Sequence, residues 1–165
     1  MRRSGAGSAL ALAAALLSGC HYGFAGGGLP QNIKTVAVIP FDNDTPSPNL
    51  QLEINELLTT QIQGRLGLKP APEARADAVV KGRITRYDTG IPVAYSSQAN
   101  SSSAQRELRI TVDVEIDDQI SGRVIWTRKG LVASGTYAER SEADGRKEAV
   151  TKLVNDILAG AQSQW

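Results

Sequence analysis

Leu108-Arg109-Ile110-Thr111-Val112-Asp113-Val114-Glu115-Ile116 alternates without a break between apolar and polar or charged side chains. A period of two puts the apolar set on one face of a strand and the charged set on the other, as in a sheet with one face on a core and the other open. Working outward, residues 118–122 have turn chemistry, and residues 123–132 pair back as a hairpin strand with weaker alternation around Trp126. On the N-terminal side, residues 78–87 form another strand. Val80, Gly82 and Ile84 share one face; Val79, Lys81, Arg83 and Thr85 share the other. Residues 88–104, polar and serine-rich, read as a long mobile connection.

Two amphipathic segments flank these strands. Leu50, Ile54, Leu57, Leu58, Ile62 and Leu66 recur at three- and four-residue spacings behind Ser47-Pro48, an N-cap with proline at the first helical position. Val150, Leu153, Val154, Ile157, Leu158 and Ala161 form the stripe of a closing helix, introduced by Ser141-Glu142-Ala143-Asp144 in the pattern of a capping box. Residues 33–41 are β-branched and apolar almost throughout, as in a strand buried on both faces, and Pro40 ends its ladder role. Residues 69–77, with Pro70 and Pro72, read as a linker. The order β-α-β-β-β-α predicts an α+β two-layer sandwich over residues 33–165, with two helices packed on one face of a four-stranded sheet. The other face is too polar for a second core. It is either a solvated surface of cross-strand ion pairs or a polar surface that meets a partner.

Composition narrows the function. The 165 residues carry 18 Lys+Arg against 17 Asp+Glu, with one His and one Cys. A near-neutral chain has no broad cationic surface for nucleic acid. A single Cys excludes an internal disulfide and a multi-cysteine metal site, and a single His leaves no material for a histidine-rich metal centre. No nucleophile is placed beside a base, so the chain is expected to be non-catalytic and without a cofactor.

The N-terminus is an address. Arg2-Arg3 precede the apolar run 9–17 and Ser18-Gly19-Cys20. This is the n-region, h-region and small-residue cleavage site of a secretory signal over residues 1–19, too short to span a bilayer permanently. Leu17-Ser18-Gly19-Cys20 resembles the lipobox of bacterial lipoproteins, which implies that Cys20 is cut free and lipidated. Residues 20–32 then form a glycine-rich tether. Cleavage removes Arg2 and Arg3 and no acidic residue, so the mature chain has a net charge of −1 and its hold on the membrane rests on acyl chains. His21 stands where an Asp, in many enteric bacteria, retains a lipoprotein at the inner membrane. By that resemblance the destination is the periplasmic face of the outer membrane.

Tyr22-Gly23-Phe24, Gly26-Gly27, Leu29-Pro30, residues 33–38, Pro40-Phe41, Asn43 and Thr45, directly after a lipobox, resemble the LPS-assembly lipoprotein family, LptE. The resemblance continues through Ala76-Asp77-Ala78-Val79, Gly82, the strand 108–116, Gly122-Arg123-Val124-Ile125-Trp126 and Trp165. Residues 68–72 depart from it, being broken by proline where relatives tend to carry an extended apolar stretch. The resemblance implies the same sandwich fold and a role as the lipoprotein half of the lipopolysaccharide translocon. Its members plug an LptD-type outer-membrane β-barrel, help it assemble and bind lipopolysaccharide. Lipid A phosphates would be met by Lys and Arg. The candidate cluster is Lys81, Arg83, Arg86, Arg106 and Arg109. Residues 36–43 also resemble the first strand of other periplasmic lipoproteins, the alternative being a CsgG-like secretion-channel subunit or a peptidoglycan-synthase activator.

Overall fold

The computed structural model describes residues 32–93, 105–138 and 140–163. The signal segment, Cys20, the tether through residue 31, the serine-rich stretch 94–104 and Trp165 lie outside the described residues. The elements run β1 (Thr35–Val38), β2 (Asp42–Asn43), α1 (Pro48–Gln61) with a π-helical turn (Ile62–Leu66), β3 (Lys69–Pro70) and a 3-10 turn (Glu73–Arg75). They continue through β4 (Ala78–Pro92), β5 (Gln105–Asp118), β6 (Arg123–Ala138) and α2 (Glu142–Gln162). The sheet order is β3-β1-β4-β5-β6, and β2 also pairs with β4. Strands β1, β2 and β3 join in parallel; β4, β5 and β6 are antiparallel.

The sheet is therefore mixed and six-stranded, not four-stranded. The four expected strands are present, and the two added ones are two-residue pairings on either side of α1. Residues 69–77, expected to be a linker, contribute β3 because it lies at the sheet edge, where the missing N–H of Pro70 costs no ladder bond. The Lys69 N–H donates to the Lys34 carbonyl (3.0 Å) and the Ala71 N–H to the Val36 carbonyl (2.9 Å). Strands β4 and β6 also outrun the alternating pattern, to Pro92 and Ala138, because pairing with β5 carries segments that have no amphipathic signal of their own. Residues 88–92 thus belong to β4 and not to the connection.

Both helices lie on one face. Leu50, Ile54, Leu58 and Ile62 from the α1 segment, and Val150, Leu153, Val154, Ile157, Leu158 and Ala161 from α2, are buried against Val80, Ile84 and the even-numbered residues of β5 from Leu108 to Ile116. Ser47 and Ser141 occupy the N-cap positions, but neither side chain makes a capping bond, so the expected capping box does not form. Close approaches hold the layers together. A Cβ on Gly82 would lie 2.6 Å from the Phe41 ring and 2.8 Å from the Asp113 carbonyl oxygen, so only glycine fits beneath that fully buried ring. Asp77 clamps β1 to the start of β4, accepting from the Lys34 (2.9 Å) and Thr35 (2.8 Å) N–H groups. Those bonds hold its carboxyl below the usual range, the Lys34 N–H being the largest cause. Asp118 does the same for the β5–β6 turn, buried and lowered first by the Ser121 hydroxyl (2.7 Å).

Candidate functional site

The face of the sheet away from the helices carries the charged set that the alternation placed there. On β4 these are Lys81 and Arg83; on β5, Arg109, Thr111, Asp113 and Glu115. At Thr85 the register slips by one residue: Ile84 pairs with Val112, but Arg86 pairs with Thr111. The extra residue is a β-bulge, and the Thr85 hydroxyl donates to the Thr111 carbonyl (3.2 Å). Simple alternation from Val80, Gly82 and Ile84 would send Arg86 into the core. The bulge returns it to the open face and puts Tyr87 on the helix side, where its hydroxyl donates to Glu142 (3.0 Å).

Four of the five predicted cations thus share one face. Arg106 does not: it pairs with Tyr137, a buried residue on the helix side, and has the parity of Leu108 and Ile110. Most of the four are already neutralised. The Lys81 ammonium sits between Asp117 (2.6 Å) and Glu115 (2.9 Å). These carboxylates, Asp117 foremost, push it above the ordinary lysine range. Arg83 reaches Asp42 (3.1 Å) and Asp44 (3.3 Å), and Arg109 reaches Glu107 (2.7 Å). Arg86 alone of the four has no carboxylate within salt-bridge distance among the described residues. It stands diagonally from Arg109, which faces Asp88 across the β4–β5 ladder.

Toward β1 the open face changes character. Residues 71–76 fold over it, burying Ala37, Ala76 and Val79 with Ile39 and Ala71 packed alongside. Beside this cover lies a groove of about 440 Å³ lined by Ile39, Glu73, Ala74, Val79, Lys81, Asp117 and Gln119. The Gln119 amide ties its wall together by donating to the Glu73 carbonyl (3.0 Å). The segment 69–77 read as a mere linker. The signal that something covers the sheet here was present in β1, whose residues are apolar at both parities.

Among the described residues no group of three or more His, Cys, Asp or Glu could hold a metal ion, and no helix is long and apolar enough to cross a membrane. The arrangement is a surface of paired charges with one uncommitted guanidinium, suited to polar contact with a large partner and to anion binding at Arg86.

A family model described as LptE, lipopolysaccharide-assembly, matches residues 33–159. No curated protein matches the chain. Among solved structures, PelC of Paraburkholderia phytofirmans, solved as a dodecamer, is 17% identical with a TM-score of 0.51, the match covering 82% of this chain and 93% of that one. The hypothetical protein CT253 of Chlamydia trachomatis is 12% identical, TM-score 0.54, over 80% of this chain and 97% of that one. Protein XCC0632 of Xanthomonas campestris is 9% identical, TM-score 0.52, over 83% and 91%. At these identities the likeness is one of fold.

Proposed function

The chain belongs to the LptE lipopolysaccharide-assembly family, and from that premise we propose that it is a non-catalytic lipoprotein of the lipopolysaccharide translocon. It is anchored through Cys20 at the periplasmic face of the outer membrane. There it plugs an LptD-type β-barrel, helps that barrel assemble and binds lipopolysaccharide. The observation that supports this reading best is the open sheet face. It is broad, polar and cross-linked by ion pairs, so it can sit in a polar barrel lumen without burying unpaired charge. Lipopolysaccharide phosphate is met at Arg86, whose guanidinium has no internal partner among the described residues to give up. Lys81, Arg83 and Arg109 shape that surface more than they bind, because a ligand would have to displace carboxylates already in contact.

The test is purification of the lipid-anchored protein from its native envelope in mild detergent, followed by mass spectrometry of what accompanies it. A stoichiometric outer-membrane barrel of the LptD kind is the expected result. Recovery of copies of the chain alone would replace the translocon reading with a self-assembling, CsgG-like channel subunit. Recovery of a cell-wall synthase would replace it with an activator.

A further inference from the structure

The two edges of the sheet are finished differently. One ends in β3, two residues long and closed by Pro70. The other is β6, sixteen residues long, and no described strand pairs with its outer side. A free edge of this length is normally blunted by charge, proline or a bulge. The first half of β6 is: its register with β5 slips between Leu131 and Arg128, at Lys129 and Gly130, and again near Ile125, and Arg123, Arg128 and Lys129 are exposed there. The second half is not. From Leu131 to Ala138 the pairing is unbroken, with no charge and no proline, and Val132 is 52% exposed.

The direction of the free groups can be read from one contact. The Thr136 N–H donates to the Glu148 side chain (3.0 Å), off the sheet, so it points away from β5. The two-residue period then turns the backbone groups of Ser134 and Val132 outward as well. The Ala138 carbonyl is taken by the Ser141 N–H (2.8 Å), which closes the far end. The outward backbone donors and acceptors of Val132 and Ser134 remain without a strand partner among the described residues, with β-branched and small side chains beside them. At its near end Arg128 and Lys129 have no carboxylate partner among the described residues.

We infer that the outer edge of β6 over Val132–Ser134 accepts an extended segment of a partner protein by strand addition, with a carboxylate of that segment meeting Arg128 and Lys129. The inference rests on the translocon reading, in which the partner is the barrel subunit. Backbone bonds supply the attachment, and the two cations set the direction of the incoming chain.

Hydrogen exchange decides it, measured on the full lipidated chain in mild detergent, alone and with the barrel subunit that accompanies it from the envelope. The expected result is exchange on the order of tenfold slower at the Val132 and Ser134 amides in the complex. Ser134→Pro, which removes an outward donor and leaves the ladder to β5 intact, should lower barrel recovery several-fold at an unchanged melting temperature. Barrel recovered with no slowing at those amides overturns strand addition and leaves the translocon reading standing. Slowing that depends on the concentration of the chain alone, with the mass of a dimer, makes a second copy the occupant and also overturns the proposal. A preparation without any barrel overturns both.

Discussion

Arg86 differs from the other cations of its face in having no internal counter-ion among the described residues, which makes it the informative residue to change. Removing it breaks no ion pair, so Arg86→Ala should leave the melting temperature unchanged. Binding of purified lipopolysaccharide to the detergent-solubilised chain should fall about tenfold, the worth of one charge-assisted phosphate contact of roughly 1.5 kcal/mol. Lys81→Ala should behave oppositely. It leaves Glu115 and Asp117 without their shared cation, so it lowers stability, by less than about 1 kcal/mol because the pair is solvent-screened, and does little to binding. Equal loss of binding in both variants would show that the whole cationic surface, not Arg86, holds the ligand. At this scale the sequence was a partial guide. Arg106 has the parity of Leu108, so its place on the helix side was legible from the alternation. The position of Arg86 was not, since a one-residue bulge at Thr85 reverses the face of the residues that follow it, until a second register shift between Asp88 and Ile91.

Between elements, the contact that decides where α2 sits is made by two glycines. A Cβ on Gly135 would collide with the Gly145 backbone carbonyl, and one on Gly145 would lie 2.8 Å from the Tyr137 ring. The first turns of α2 therefore lie directly on β6, and the helix continues to Gly160, which packs under the Trp126 ring. Gly135→Ala must push helix or strand aside. It is expected to cost about 2–3 kcal/mol in denaturant unfolding, the range for overpacking a closely fitted layer. A loss under about 0.5 kcal/mol would mean that α2 slides freely on the sheet. Residues 133–138, ASGTYA, alternate only weakly, with small Ala133 and Gly135 at inward positions, so this strand extension and its docking role left little signal in the pattern. The stripe of α2 itself was plain, because six apolar residues at helical spacing admit one buried face.

For the molecule as a whole, charge is nearly balanced, 18 Lys+Arg against 17 Asp+Glu, so net charge supplies little attraction to an anionic bilayer. If Cys20 carries the acyl chains, Cys20→Ser should abolish tight membrane association and move the protein from the membrane pellet to the soluble or salt-extractable fraction on fractionation. Retention of the variant in the pellet after a high-salt wash would mean that the folded domain itself binds the membrane or a membrane protein. Either result bears on the open sheet face, since a domain that stays bound without its lipid must be using a protein surface such as that face or the β6 edge.

The sequence by itself determined the α+β class, the helix stripes and the polarity of each sheet face, because all three are written in local periodicity. The tertiary structure decided what depends on chain segments distant in sequence. It added β2 and β3 to the sheet through pairings that no local pattern announces, and folded residues 71–76 over β1. It matched Lys81, Arg83 and Arg109 of the open face to their carboxylates, leaving Arg86 of that face without one among the described residues. It also left β6 as the long unpaired edge, a property of strand order and not of any residue in the strand.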